Sequence, residues 1–216
     1  MKTLEILPQK IFKFKCEPNL ILKTLDALKS EEFILAPAIP AWAVAQTKNK
    51  RLNKDPKYSE IHSWVRECFN KVKDEMNFRC DKIEITLSWG NVASQNQWQW
   101  THSHPNSFMS AILYLTDSNA STLFKIHNFW TGSNNNLDSS NASNVVQLLR
   151  EGDEIHNIHK QSSVSGDLII FPSSLIHKVD THNVQGSNRY SMSFNSYPCG
   201  TVGDIDGSAG MIIEVL

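Results

Sequence analysis

The sequence predicts a mainly β fold, a sandwich or jelly roll with helices from its N-terminal end packed on one face. Three observations carry this. Amphipathic helical spacing is confined to the first third of the chain, short strand-like apolar runs follow from residue 82 onward, and polar turn-forming segments separate those runs.

The elements follow in order. Glu5 to Lys15 holds a short extended segment around Ile11, Phe12 and Phe14. Asn19 to Ser30 places Leu20, Leu22, Leu25 and Leu28 at helical spacing. Pro37 and Pro40 interrupt the next stretch, since each fixes φ and removes a backbone donor. Tyr58 to Asn77 sets Ile61, Trp64, Val65, Cys68, Val72 and Met76 on one helical face with Lys, Glu and Asp opposite, the pattern of a helix laid on a core. From Lys82 the period shortens. Ile83-Glu-Ile-Thr-Leu87 alternates, and Ser110 to Leu115, Ser121 to Ile126, Gly166 to Phe171 and Arg189 to Phe194 are compact strand candidates. The Asn- and Ser-rich stretch Thr131 to Asn144 reads as a loop between two of them. The expected organisation is one domain: strand and helical support over 1–80, a jelly-roll core over 81–200, and a tail or edge strand over 201–216.

Composition narrows the class. The 216 residues are 40% hydrophobic and 20% charged, with a formal net charge of −1. That supplies a sizeable core and no basic excess for nucleic acid. No apolar run is long enough to span a bilayer, and residues 1–15 lack a signal-like apolar stretch. Cys16, Cys68, Cys80 and Cys199 form no CxxC pair and read as reduced thiols of a cytoplasmic protein. Asn119-Ala-Ser121 and Asn141-Ala-Ser143 read as chance matches to the glycosylation pattern.

The eight histidines carry the chemical signal. His102 and His104 lie two apart in Trp100-Thr-His-Ser-His-Pro-Asn-Ser107. On an extended backbone such residues point to one side, as two metal ligands on a barrel strand do. The pair alone fits two polar loop histidines equally well. Gly166-Asp-Leu-Ile-Ile-Phe-Pro-Ser-Ser-Leu-Ile-His177 adds a turn, a buried strand, a proline-marked bend and a lone histidine. Arg189-Tyr-Ser191 then puts Arg189 and Ser191 on one face of the next strand. An inward Arg needs an anionic partner, and its planar fork fits a carboxylate. His177 alone fits a satisfied core histidine as well, but with Arg189 and Ser191 the region supplies a candidate third ligand and a candidate carboxylate clamp close together.

With these motifs the chain resembles the 2-oxoglutarate and Fe(II)-dependent oxygenases. Members with a double-stranded β-helix carry an early His-x-Asp pair, a late His and an Arg-x-Ser on the following strand. The matching residues are His102-Ser-His104, His177 and Arg189-Tyr-Ser191. Ile112-Leu-Tyr-Leu115 is similar to the strand on which prolyl-hydroxylase-type members carry a tyrosine for the co-substrate's far carboxylate, here Tyr114. Within the superfamily, the chain also resembles oxygenases with a His-x-His-Pro-(Asn/Gly)-Ser motif, matched by His102-Ser-His-Pro-Asn-Ser107.

The resemblance implies a double-stranded β-helix (jelly-roll) core. It implies Fe(II) on His102, His104 and His177, and 2-oxoglutarate clamped by Arg189, Ser191 and Tyr114. Oxidative decarboxylation with O₂ to succinate and CO₂ would be coupled to hydroxylation of a small molecule or protein side chain. His104 stands where the family carries Asp, so the implied site has three histidines; a shifted register would make His104 the first ligand, with Asn106 near the carboxylate position. Trp89, Asn91, Trp98 and Trp100 precede the pair and line either the pocket or the barrel core. His156 and His159 read as surface residues, and His182 lies in the turn before Arg189. Two other readings stay open. One is a cupin-like metal enzyme without 2-oxoglutarate; the other is a non-catalytic jelly roll that binds a small acid. A homodimer is also open.

Overall fold

The computed structural model describes residues 10–35, 43–125, 158–204, 207 and 209–215. Two α-helices, two three-residue 3-10 helices (Leu52–Lys54 and Pro56–Tyr58) and twelve strands lie in these segments. Helix α1 (Pro18–Lys29) starts with proline in its first turn, where the missing N–H has no partner to lose, and buries Ile21, Leu25 and Leu28. Helix α2 (Ser59–Glu75) buries Ile61, His62, Val65, Cys68, Phe69 and Val72. The strands are β1 (Phe12–Lys15), β2 (Phe33–Ile34), β3 (Ala45–Thr47), β4 (Cys80–Ala93), β5 (Gln99–His102), β6 (Met109–Tyr114), β7 (Ser118–Lys125), β8 (Ile158–Ser163), β9 (Asp167–Pro172), β10 (His177–Val179), β11 (Arg189–Val202) and β12 (Met211–Ile213).

They form two antiparallel sheets. The larger runs β1-β9-β6-β11-β4-β3-β2, with β12 paired to β11; the smaller runs β5-β10-β7-β8. The fold is mainly β with a jelly-roll core and the helices on one face of the larger sheet. Strands β4 and β11 extend well past the apolar runs that announce them, because their outer ends alternate with polar residues that carry no strand signal. Strand β8 falls in a polar stretch and is missed for the same reason: most of its residues are exposed or half-buried. Thr131 to Asn144, Pro37, Pro40, His127 and His156 lie outside the described residues.

Side-chain alternation gives the larger sheet two different faces. On one, Ile83, Ile85, Ala111, Leu113, Leu168, Ile170, Met192 and Phe194 join the buried residues of both helices in one apolar core. Each such fully buried large side chain stabilises the fold by about 1.5–3 kcal/mol. On the other, Ile112, Tyr114, Ile169 and Phe171 meet Phe124 of the smaller sheet and Leu175. Arg189 and Ser191 share this second face. At the margin, buried Asp167 takes Lys13 at 2.7 Å and Lys15 at 3.1 Å, fixing β1 on β9.

All four cysteines are free thiols. Burial pushes Cys16 up to about 11 and Cys68 up to about 12, so neither is a nucleophile at neutral pH.

Candidate metal centre and carboxylate clamp

Two segments far apart in sequence become neighbouring strands here. In the smaller sheet β5 and β10 are antiparallel, with His177 directly opposite His102. Gly166 makes the turn into β9 at φ +84°, a conformation that favours glycine. Strand β9 then runs through the core and the chain bends at Pro172, where Leu175 N–H donates to the Pro172 carbonyl at 2.9 Å. His104 lies just beyond β5, and its backbone N–H donates to the Ser173 carbonyl at 2.8 Å, tying the two histidine-bearing segments together.

The result is a tight imidazole cluster. One ring nitrogen from each of His102, His104 and His177 lies within 4.8 Å of the others. Ring centroids are 4.3 Å apart for His102–His177, 5.1 Å for His102–His104 and 5.3 Å for His104–His177. The tautomers follow from the partners. His102 Nδ1 faces the Trp100 carbonyl at 2.7 Å and His177 Nδ1 faces the Leu175 carbonyl at 2.8 Å. A carbonyl only accepts, so in both rings Nδ1 donates and Nε2 carries the lone pair, free in His177 and faced in His102 by the Gln99 amide at 3.5 Å.

Burial holds all three imidazoles below the usual histidine range. His104 falls to about 4, with the neighbouring His102 adding to burial. His177 falls to about 3 through burial and then the charge of His102, against the opposing Leu175 hydrogen bond. His102 is lowered by burial against its bond to Trp100. Neutral imidazole is the form that binds metal, so the cluster is prepared for a cation at neutral pH. Among the described residues, this metal-competent group contains no carboxylate.

Across the interior, on the second face of the larger sheet, Arg189 is 3% exposed, yet its Nε and one terminal nitrogen have no hydrogen-bond partner. Ser191, also buried, lies opposite Tyr114 on β6 and Asn91 on β4. The Tyr114 hydroxyl bonds the Thr122 hydroxyl at 2.8 Å. Thr122 sits two residues along β7 from Phe124, the cross-strand partner of His177. Tyr114 lies within electrostatic reach of Arg189, so the guanidinium and the imidazole cluster face one interior from its two sheets. A lone buried guanidinium is expensive to maintain, and a carboxylate is the partner that matches its fork. The donor sets fit a divalent cation on three imidazole nitrogens and a carboxylate on the Arg189 guanidinium.

The remaining histidines are accounted for. His62, not singled out by sequence, uses both ring nitrogens, on the Tyr58 carbonyl and the Ser88 hydroxyl, each at 2.7 Å. His182 is buried and bonds the Ser118 hydroxyl and the Ser187 carbonyl, each at 3.0 Å, so it braces a turn. His159 is exposed. Of the residues preceding the His pair, Trp89 faces His104 with ring centroids 6.0 Å apart. Asn91 is buried and donates to the Ser193 hydroxyl at 2.9 Å. Trp100 is 42% exposed and is not barrel core. Sequence reasoning passed over Gln99, whose amide nitrogen lies 3.5 Å from His102 Nε2, and Thr122. Neither a lone glutamine nor a threonine within a strand carries a signal of its own.

A family model described as "Putative 2OG-Fe(II) oxygenase" matches residues 87–195, half of the chain. The chain belongs to the 2OG-Fe(II) oxygenase family. The oxygenase is similar in fold to HygX from Streptomyces hygroscopicus, solved with nickel and 2-oxoglutarate bound. That match has 10% identity, 88% of this chain and 83% of HygX covered, and a TM-score of 0.59. It is similar too to a Pseudomonas putida prolyl-4-hydroxylase, at 11% identity, 89% and 94% coverage and a TM-score of 0.57. The epimerase SnoN from nogalamycin biosynthesis matches at 10% identity, 96% and 88% coverage and a TM-score of 0.60. At these identities the likenesses establish the jelly-roll oxygenase fold. No curated protein matches the chain in sequence. The oxygenase is a non-haem iron enzyme whose class uses Fe(II), 2-oxoglutarate and O₂. None of its described helices is long and apolar enough to cross a membrane.

Proposed function

We propose that His102, His104 and His177 hold Fe(II), and that Arg189 with Ser191 and Tyr114 binds the far carboxylate of 2-oxoglutarate. The observation that carries this reading is the orphaned Arg189 guanidinium in the same interior as three neutral imidazoles. A cupin-like enzyme without 2-oxoglutarate would leave that guanidinium without a purpose. When bound, Fe(II) supplies activation of O₂, coupled to decarboxylation of 2-oxoglutarate to succinate and CO₂ and to hydroxylation of a substrate C–H bond.

The chain's own residues do the positioning. The Trp100 and Leu175 carbonyls fix two imidazole tautomers before any metal arrives. Arg189 aims the diacid along the interior, and Ser191 and the Tyr114 hydroxyl flank the carboxylate it holds. Phe124 and Phe171 pack against His177 with ring centroids at 5.8 and 4.8 Å, shielding that side from water. The substrate is a small molecule or a protein side chain; HygX was solved with hygromycin B bound, and a prolyl-4-hydroxylase shares the fold. A cytoplasmic setting is consistent with four free cysteines.

The test is Arg189→Ala assayed by calorimetry on the Ni(II)-loaded protein. We expect 2-oxoglutarate affinity to fall on the order of 100-fold with metal affinity unchanged. Equal loss of both would sink the assignment.

A further inference from the structure

The proposed ligand set leaves a charge unbalanced, and the inference below rests on that reading. Three neutral imidazoles bring no charge to a dipositive metal. Adding the Arg189 cation and the 2-oxoglutarate dianion leaves the interior one unit positive. No carboxylate joins the imidazole cluster among the described residues, and buried Asp167 is already committed to Lys13 and Lys15. His177 is buried and His102 and His104 are half-buried, so a net positive charge there attracts an anionic partner.

A second observation shows where it would sit. The Trp89 indole Nε1 is buried and has no hydrogen-bond partner. Ser88 reaches the helix side to bond His62, and a Cβ at Gly90 would strike Leu28 on that same side. Trp89, between them, therefore points into the interior, where its ring meets His104. An indole N–H can only donate. Gln99 adds a second donor, because a metal on His102 Nε2 takes the lone pair its amide now faces.

We infer that the primary substrate is an oxyanion, a carboxylate or phosphate monoester, whose charged group lies beside His104 and accepts the Trp89 indole N–H. His104 is thus a specificity device: by contributing no charge where a carboxylate would contribute one, it leaves room for the charge of the substrate.

The probes are acetate, acetamide and methyl phosphate, titrated calorimetrically into Ni(II)-loaded protein saturated with 2-oxoglutarate. Acetate should bind about tenfold or more tightly than its neutral isostere acetamide. Trp89→Phe should weaken acetate about tenfold while leaving 2-oxoglutarate within about twofold. His104→Asp, which supplies the missing charge, should weaken acetate while retaining Ni(II). Methyl phosphate binding more tightly than acetate points to phosphate esters, and the reverse to carboxylates. Acetate no tighter than acetamide overturns the inference, as does a Trp89→Phe variant that loses 2-oxoglutarate but not acetate. The comparison of probes on the unaltered protein decides the matter even if a variant fails to fold. Failure of 2-oxoglutarate itself to bind the Ni(II) protein is a different result: it removes the co-substrate reading and this inference with it.

Discussion

The two faces of the larger sheet are built on opposite rules. The helix face is mainly apolar. Its one buried histidine, His62, satisfies both nitrogens within the protein. The inner face carries Arg189 with free nitrogens, a Trp89 N–H with no acceptor, and across from them three imidazoles crowded together. His62 and His177 are both buried and both depressed, to about 4 and about 3. Burial and a lowered pKa thus do not separate a structural histidine from a proposed ligand. Unspent hydrogen-bonding capacity does: His177 commits only Nδ1.

The largest test of this contrast is deletion of an unspent group against deletion of a spent one. His177→Ala should lower Fe(II) or Ni(II) affinity by more than the roughly 10–100-fold seen for outer ligand partners, measured by metal titration. His62→Gln should leave it unchanged. Comparable losses in the two variants would dissolve the distinction.

Next in size is a variant that should improve stability at the expense of function. Arg189→Met removes an uncompensated buried cation and keeps most of its volume. The ligand-free protein should become more stable by about 1–4 kcal/mol in urea denaturation, while 2-oxoglutarate binding is lost. On the helix face the same kind of truncation has the opposite effect. Phe69 is fully buried, and Phe69→Ala should cost about 3–5 kcal/mol through lost burial and the cavity left behind. A destabilised Arg189→Met would mean the guanidinium has a partner after all.

The same contrast explains what could be read in the sequence. Strands β6 and β9 bury their residues on both sides and appear as continuous apolar runs, so they were legible. Helix α2 was legible from its stripe; α1 was legible as a helix, but its stripe was misplaced, since Leu22 is 59% exposed and Ile21 is buried in its stead. Strand β8 was not, because it lies at the edge of the smaller sheet with mostly solvent-facing polar residues, a composition shared with loops. At the site, His102, His104, His177 and Arg189 stood out because imidazole pairs and a lone inward Arg are unusual in strands. Thr122 did not, since its place beside Tyr114 depends on the two sheets facing each other, and Gln99 did not, since a glutamine three residues before a histidine carries no signal of its own. Spacing within one strand is written in the chain; pairing between strands must be folded to be seen.

The smallest expected effect concerns pH, and it isolates the helix face. His62 is 2% exposed, and burial lowers it to about 4, with the Tyr58 hydrogen bond opposing. An unfolded histidine titrates near 6.5. Above that pH the imidazole is neutral in both states and contributes no slope. As pH falls from about 6.5 toward 4, the unfolded chain takes up a proton that the folded chain refuses, so stability declines. Over the measured window, pH 6.5 to 5, this amounts to about 1–2 kcal/mol. The imidazole cluster adds a slope of the same sign with or without metal, because the unfolded chain takes up its protons too, so the effect is read above pH 5 as a difference from His62→Gln. Gln cannot gain the proton, and the variant should show a shallower loss of stability between pH 6.5 and 5 whatever its stability at pH 7. Parallel pH profiles would mean that His62 is protonated in the folded chain, and that the helix face is less closed to water than its burial indicates.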